Sequence, residues 1–208
     1  MTELERQSPT LPTAFFVIGP AGSGKSTVSK LLARELGTAY LDKDSIATGF
    51  TELILSMNGN DPHERDNNAL YQSRILPIEY QTLLRVCGDN LAVGCSVVID
   101  APFARYFSDE RYLVDARDEY GWPPARLVVV HVMTDGATLL ARLRQRNEPR
   151  DEWKIRNWEQ FWAGSTTTAC RWLGADHVTV DNSGGWPDFS SIKQLYGGAA
   201  PERSKLTC

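Results

Sequence analysis

One glycine-rich segment constrains the fold of this chain more than any other stretch: Gly19-Pro20-Ala21-Gly22-Ser23-Gly24-Lys25-Ser26-Thr27. It matches G-x-x-x-x-G-K-[ST], the phosphate-binding P-loop pattern. An apolar run at 14–18 precedes it and predicts a strand, and residues 28–36 follow it and predict a helix that ends at Gly37. A strand, a glycine-rich turn and a helix N-terminus direct backbone N–H groups and a positive dipole end at one point. The sequence therefore predicts a site for a nucleoside triphosphate.

The residues of this motif have separate expected roles. The glycines let the backbone approach the phosphates, because a Cβ would block that approach or forbid the required φ and ψ angles. Lys25 is expected to reach the β- and γ-phosphates, and the Ser26 hydroxyl to bind Mg²⁺. ATP and Mg²⁺ are therefore the expected cofactors. The residues expected to bind the nucleotide are Gly19, Ala21, Gly22, Ser23, Gly24, Lys25, Ser26 and Thr27.

Composition argues against several other classes of protein. Hydrophobic residues make up 42% of the 208 residues, and the apolar runs are strand-sized, so we expect no membrane partner. The net charge of −4 argues against a surface that tracks a nucleic acid, which is normally basic. Residues 1–12 carry no apolar signal core, and the four cysteines show no metal-ligand spacing. We expect a cytoplasmic protein, and its oligomeric state stays open.

Five apolar runs of strand type alternate with helical patterns. The runs cover residues 14–18, 39–41, 96–100, 125–132 and 177–180, and helices are expected at 67–74, 78–91, 108–120, 136–145 and from about 151. Residues 48–94 form the least regular region. The alternation predicts an α/β fold with a doubly wound, five-stranded parallel sheet. We expect a flexible leader at 1–12, one P-loop domain at 13–195 and a C-terminal tail at 196–208.

Two acidic residues follow the second predicted strand, where ligands of such sheets bind. Asp42 and Asp44 lie two positions apart and can face the phosphate site together. We expect Asp44 to accept the proton of a substrate hydroxyl during phosphoryl transfer. Asp42 is the alternative base, or a group that binds substrate or a metal-bound water. A competing interpretation is that one or both carboxylates only cap the next helix, for which Asp44 or Ser45 is suited.

Asp100 ends the third predicted strand, which is the Walker B arrangement. Its carboxylate is expected to hold Mg²⁺, directly or through water, together with Ser26. Pro102 and Phe103 come next and are expected to line a pocket for the phosphoryl acceptor.

An arginine cluster follows the fourth predicted strand. Arg142 and Arg146 share a helix face, and Arg150 lies in the loop after Pro149. Like charges this close are unfavourable unless an anion joins them, and guanidinium forks suit phosphoryl oxygens. We expect Arg146 and Arg150 to act from a helical lid over the triphosphate. The alternative is a solvated basic face.

Together these segments resemble small P-loop kinases of the zeta-toxin, chloramphenicol-phosphotransferase and gluconate-kinase type, within the AAA-like ATPase families. The matching pieces, in the expected order, are residues 19–27, 41–45, 97–103, Arg146 with Arg150 and Asp151, and 180–183. The resemblance implies a nucleoside-monophosphate-kinase-like fold with a lid, Asp44 as the acceptor-activating base, and Arg146 and Arg150 as lid arginines. It also implies that the turn beginning at Asp181 lies near the adenine.

The segment 51–90 matches none of these families, so the resemblance leaves the acceptor unidentified. We expect this segment to carry acceptor recognition. The groups expected in its pocket are Tyr71, Arg74, Glu79 and Tyr80.

The leading hypothesis is an ATP-dependent phosphotransferase that moves the γ-phosphate to a hydroxyl of a small molecule. A polynucleotide 5′-hydroxyl kinase would need a basic channel, which the acidic balance argues against. A nucleotide-dependent regulatory ATPase would need no carboxylate at Asp44. A zeta-toxin-like nucleotide-sugar kinase, with a cognate antitoxin, is a further alternative.

Overall fold

A computed structural model describes residues 11–167, 169–184 and 186–196. Five strands form one parallel sheet in the order β2-β3-β1-β4-β5. The predicted leader and tail lie largely outside the described residues. The doubly wound parallel sheet predicted from the sequence is confirmed. Its strands are β1 (Thr13–Ile18), β2 (Ala39–Asp42), β3 (Val97–Asp100), β4 (Arg126–Met133) and β5 (Asp176–Asp181).

The central strand β1 is buried along its whole length, because β3 and β4 flank it and helices cover both faces of the sheet. Phe15 and Val17 pack on one face, in an apolar cluster with Leu32. Phe16 packs on the other face, in a cluster with Leu83. The near-continuous apolar run in the sequence is the pattern that such two-sided burial requires.

Helices surround this sheet. A π-helical turn at Tyr71–Ile75 and two 3-10 turns at Ala104–Tyr106 and Pro149–Asp151 complete the irregular elements. The α-helices of the described residues are α1 (Lys25–Leu36), α2 (Lys43–Met57), α3 (Leu76–Ala92), α4 (Tyr112–Glu119), α5 (Gly136–Arg146), α6 (Glu152–Arg156), α7 (Trp158–Thr167) and α8 (Ser190–Tyr196). None of them is long and apolar enough to cross a lipid bilayer.

The region 48–94 is more regular than its sequence indicates. The buried residues of α2 are Lys43, Ala47, Thr51 and Leu55, at a spacing of four. Two of these four are polar, and that mixture hides the helical period from a hydrophobicity pattern. Most of the helix predicted at 67–74 is the π-helical turn, which runs directly into α3, the helix predicted at 78–91. Pro77 stands in the first turn of α3, where no backbone donor is needed.

The carboxyl ends of β1, β2 and β3 lie at one edge of the sheet. The parallel register pairs Asp42 with Asp100 and Val17 with Asp100. The P-loop follows β1 directly. The fold therefore gathers the phosphate motif and the acidic strand ends at one place, as the strand-end rule requires.

Candidate active site

The P-loop lies over the N-terminus of α1 with two glycines in the left-handed region. Gly22 has a φ of 86° and Gly24 a φ of 84°. A Cβ on Gly24 would overlap the side-chain amide of Asn182, and one on Gly22 would lie 3.0 Å from Leu143. The start of α1 has no side-chain cap. Its first N–H groups are therefore available to an anion.

Lys25 folds back over this loop. Its ammonium donates a hydrogen bond of 2.9 Å to the carbonyl of Pro20. Gly19 and Ser23 are on the side of the P-loop that faces the protein core and do not line the cavity. A Cβ on Gly19 would be 2.7 Å from the Val132 carbonyl, and Ser23 is fully buried. These two residues shape the loop, while the nucleotide contacts predicted for them stay predictions.

Ser26 lies beside Asp100, the arrangement expected of a Mg²⁺ site. Asp100 is only 3% exposed, and its carboxylate accepts a hydrogen bond of 2.9 Å from the Tyr40 hydroxyl. Ser26 and Asp100 line the same cavity. Burial raises the pKa of Asp100, and the Ser26 hydrogen bond and the charge of Lys25 partly offset that effect. A hydroxyl and a buried carboxylate are the oxygen donors that Mg²⁺ prefers, so these residues fit the ion.

Mg²⁺ keeps several water and phosphate ligands and needs few from protein. Within 11–167, 169–184 and 186–196, no three His, Cys, Asp or Glu side chains form a metal-binding group. Metal binding at Ser26 and Asp100 stays a prediction.

Asp42 and Asp44 have different surroundings. Asp42 caps α2, because its carboxylate accepts hydrogen bonds from the backbone N–H of Asp44 (3.1 Å) and the hydroxyl of Ser45 (2.7 Å). The interpretation that one of the two carboxylates caps the helix is therefore confirmed for Asp42, and the suggestion that Asp44 or Ser45 would be the cap is wrong. The Asp44 side chain is 41% exposed and lies 3.2 Å from the ammonium of Lys43 and 4.0 Å from the guanidinium of Arg65. Its carboxylate is accessible to a ligand.

A buried polar network supports this end of the site. Glu79 is 4% exposed and accepts hydrogen bonds from Lys43 (2.6 Å), Thr51 (2.5 Å) and Tyr71 (3.0 Å). Burial lowers the pKa of Lys43, but the charges of Asp44 and Glu79 outweigh burial, and the net shift is upward. Burial, with the charge of Glu79, raises the pKa of Tyr71 as well. Lys43 therefore stays charged beside Asp44.

One cavity of about 540 Å³ joins the P-loop to the segment that follows α2. Its walls combine the front of the P-loop, the acidic strand ends, the segment 63–80 and the region after α5. The side chains that line it include Lys25, Ser26, Thr27, Asp42, Lys43, Asp44, His63, Arg65, Asp66, Tyr71, Gln72, Tyr80, Asp100, Pro102, Arg105, Arg142, Arg146, Asp151 and Lys154.

Two residues predicted to bind the acceptor lie elsewhere. Phe103 is fully buried and packs on Phe16 and Tyr80, so the prediction that it contacts the acceptor is wrong. Its φ of 56° places the chain in a left-handed turn, and Arg105, two positions on, lines the cavity instead. Arg74 is exposed and does not line this cavity, and its role in acceptor binding stays a prediction. Tyr71 and Tyr80 do line the cavity.

The predicted lid arginines lie at the end of α5, where Arg146 is the last residue, and in the turn that follows it. Arg146 lines the cavity and holds one oxygen of Asp151 through Nε (2.8 Å) and Nη2 (2.5 Å). Lys154 extends the lid region to the acceptor segment through an ion pair of 3.0 Å with Asp66. The side chain of Arg150 lies outside the described residues, so its predicted role stays a prediction.

The turn after β5 meets the P-loop through a residue that the sequence did not single out. Asp181 is exposed and accepts a hydrogen bond from the Ser183 N–H (2.9 Å), and it does not line the cavity. Its neighbour Asn182 donates to the carbonyl of Ser23 at 2.8 Å. Nucleotide binding by Asp181 stays a prediction.

Family comparison supplies the wider context. Residues 15–165 match the AAA_33 family, described as an AAA domain. The chain is a member of the AAA_33 family. A solved structure from Chloroflexus aurantiacus J-10-fl, named as a candidate kinase, is similar with a TM-score of 0.62 and 19% identity, over 89% of this chain and 96% of that chain. The resemblance to small P-loop kinases is thus confirmed, with the fold as its structural evidence.

Curated relatives match this AAA_33 chain over short stretches only. A bifunctional pantoate ligase/cytidylate kinase of Prochlorococcus marinus (strain NATL1A) is 49% identical over 47 residues, 23% of this chain and 9% of that protein. A shikimate kinase of Psychrobacter sp. (strain PRwf-1) is 54% identical over 35 residues, 17% of this chain and 19% of that protein. The matched regions span less than a quarter of either relative.

Proposed function

We propose that this AAA_33 protein is an ATP-dependent kinase that transfers the γ-phosphoryl group to a hydroxyl of a small-molecule acceptor. The observation that carries the proposal is the position of Asp44. Its carboxylate shares a cavity with Lys25 and Ser26, and Asp42 rather than Asp44 caps α2. A carboxylate that the helix does not need for capping, placed beside a phosphate site, suits a general base.

Different residues of the cavity have different roles in phosphoryl transfer. Lys25 and the N-terminus of α1 would bind the phosphates, and Arg146 and Arg150 would stabilise the charge that spreads over the transferring group. Ser26 and Asp100 would hold Mg²⁺, which neutralises phosphate charge when bound. The acceptor oxygen forms a bond to the γ-phosphorus, the bond from that phosphorus to ADP breaks, and Asp44 takes the hydroxyl proton.

Asp44 favours a hydroxyl acceptor over a nucleoside monophosphate. A phosphate acceptor is already ionised at neutral pH and needs no base, and a carboxylate next to it would repel it. A hydroxyl must lose its proton and benefits from the same carboxylate. The cytidylate-kinase likeness covers too little of either chain to outweigh this difference.

The extent of the cavity favours a kinase over a regulatory ATPase. The cavity, of about 540 Å³, continues past the P-loop to Tyr71 and Arg105, where an acceptor beside the phosphates would bind. An enzyme that only hydrolysed ATP would need a site for water rather than a lined pocket. The expected partner is therefore a small molecule.

Mass spectrometry on a pooled library of hydroxylated metabolites and antibiotics tests this function. Wild type, Asp44→Asn and the surface control Asp118→Asn are each incubated with the pool and Mg-ATP. We expect the same phosphorylated product from wild type and control, and at least a hundredfold less from Asp44→Asn. Loss of ATP without any phosphorylated pool member from wild type would contradict the proposal and favour the regulatory ATPase.

A further inference from the structure

Three side chains converge on one main-chain carbonyl at the back of the P-loop. The carbonyl of Ser23 accepts hydrogen bonds from Asn182 Nδ2 (2.8 Å) and Arg142 Nη1 (3.3 Å), and the Thr134 hydroxyl lies 3.0 Å from it. The single proton of that hydroxyl is shared between the Ser23 carbonyl and the Met133 carbonyl, which is 2.8 Å away. These donors come from three elements: the turn after β5, the end of β4 and helix α5. We refer to Thr134, Arg142 and Asn182 as the Ser23 clamp.

The clamp fills the hydrogen-bonding capacity of the Ser23 carbonyl. A carbonyl oxygen has two lone pairs, and a buried one is satisfied by one or two donors. Thr134 and Asn182 are each 8% exposed, so both donors act away from bulk water. Arg142 adds a positive charge and a second anchor, because its Nη2 donates to the carbonyl of Asn182 at 2.8 Å. Arg142 therefore ties the turn after β5 to the P-loop, which satisfying the Ser23 carbonyl alone would not require.

The planar peptide between Ser23 and Gly24 connects the clamp to the side of the P-loop that faces the cavity. The C=O of Ser23 and the N–H of Gly24 belong to one planar trans peptide, in which the two bonds point in opposite directions. Donors that fix the carbonyl at the back therefore fix the Gly24 N–H toward the front. Gly24 lines the cavity there. Hydrogen bonds to a carbonyl also polarise its peptide, which strengthens the N–H as a donor.

We propose that Thr134, Arg142 and Asn182 are positioning residues that hold and polarise the Ser23–Gly24 peptide for a phosphate oxyanion. The proposal rests on the proposed function only in taking a nucleotide as the occupant of the P-loop. It assigns a role to the turn after β5 through Asn182. It also accounts for glycine at position 24, where a Cβ would overlap the Asn182 amide.

The test uses variants of matched shape and measures nucleotide binding without any acceptor. Thr134→Val removes the hydroxyl donor at nearly constant volume, and Thr134→Ser keeps it. Asn182→Ala removes the amide donor. Full-length ¹⁵N-labelled protein is titrated with Mg-ADP, and the Gly24 amide resonance is followed. The affinity for adenosine, which has no phosphate, is measured in parallel by competition.

We expect Thr134→Val and Asn182→Ala to bind ADP roughly 3- to 10-fold more weakly, the effect of losing one hydrogen bond. Thr134→Ser is expected to stay within about twofold of wild type, and adenosine affinity to stay unchanged in all variants. In the bound state, the Gly24 amide proton resonance should move upfield in Thr134→Val and Asn182→Ala, and return toward wild type in Thr134→Ser.

Two results would overturn the positioning role. One is a Gly24 resonance and an ADP-to-adenosine affinity ratio that match wild type in Thr134→Val and Asn182→Ala. The other is an equal loss of ADP and adenosine affinity, which would indicate a distorted pocket. Thermal melting shows whether each variant is folded. If Asn182→Ala does not fold, the comparison of Thr134→Val with Thr134→Ser decides the positioning role. If wild type itself fails to bind ADP, the proposed function fails as well.

Discussion

The carboxylate of Asp42 accepts a hydrogen bond of 3.1 Å from the backbone N–H of Asp44, so the first acid of the Asp-Lys-Asp segment caps the helix that presents the second. Between them, Lys43 is 5% exposed and forms an ion pair with the buried Glu79. Three consecutive residues therefore fix the helix start, anchor it to the core and leave one carboxylate accessible in the cavity.

The same substitution should lower the rate of phosphoryl transfer strongly at Asp44 and leave it nearly unchanged at Asp42. Asn is a good N-cap, so Asp42→Asn is expected to keep stability within about 0.5 kcal/mol and transfer close to wild type. Asp44→Asn should leave ATP binding nearly intact and lower the transfer rate by roughly 10²–10⁴-fold, as removal of a general base does. Single-turnover kinetics and nucleotide titration measure the two effects separately. A larger loss of transfer in Asp42→Asn would identify Asp42 as the base.

Glu79 should be needed for stability only while Lys43 is present. Glu79→Leu leaves the Lys43 ammonium buried without its strongest partner, and we expect a loss of about 3–5 kcal/mol in the free energy of unfolding. The double variant Lys43→Met/Glu79→Leu removes both charges and should recover most of that loss. Urea unfolding of the single and double variants provides the comparison. A double variant no more stable than Glu79→Leu would show that hydrogen bonds, not the unpaired charge, dominate.

Lys25→Ala should abolish phosphoryl transfer, because it removes the cation that the P-loop directs at the phosphates. The matched control is Lys193→Ala, which breaks only an exposed ion pair with Glu35 and should change stability by less than about 1 kcal/mol. The rate of product formation at saturating Mg-ATP measures the effect. Unchanged turnover in Lys25→Ala would contradict the assignment of the P-loop as the phosphate-binding site.

Stability should fall as the pH drops from about 6.5 toward 4, because of a histidine pair on neighbouring strands. His177 Nε2 donates to the Trp172 carbonyl, so its Nδ1 is left to accept from His131 Nε2, 2.9 Å away. Burial and the neighbouring His177 lower the pKa of His131 to about 4. The unfolded chain, with an ordinary histidine pKa near 6.5, binds the proton first, so protons favour unfolding in this window.

The expected loss is on the order of 2 kcal/mol between pH 7 and pH 4, discounted from the full shift because His131 is only half-buried. Urea unfolding of wild type and His131→Gln across this range measures it. The variant should show a flatter pH dependence. Parallel curves for the two proteins would mean that other groups account for the acid sensitivity.

Local patterns predicted the sheet and the place of the P-loop beside the acidic strand ends. The P-loop has a fixed spacing, and the residues that meet it, Asp44 and Asp100, follow strands whose ends the topology brings together. The helical start of the irregular region was missed because Lys43 and Thr51 occupy core positions of α2. Those two polar residues are buried by a contact with Glu79, far along the chain, which no local pattern reveals.

The Ser23 clamp and the place of Phe103 could not be predicted for a similar reason. Asn182 and Thr134 lie 159 and 111 positions from Ser23, and only the packing of β4, β5 and the P-loop brings them together. Phe103 follows a strand that ends at the site, which favours a ligand contact. Its left-handed backbone and the aromatic residues beneath the turn place it in the core instead.

The most direct test of the central claim is the fate of the γ-phosphoryl group. ATP that carries an isotopic label in that group is incubated with wild type and the hydroxylated-metabolite pool, and the label is traced by mass spectrometry. We predict that the label appears in a phosphate ester of a pool member and that Asp44→Asn greatly reduces this product. Recovery of the label only as inorganic phosphate, at a rate that the pool does not change, would contradict the account.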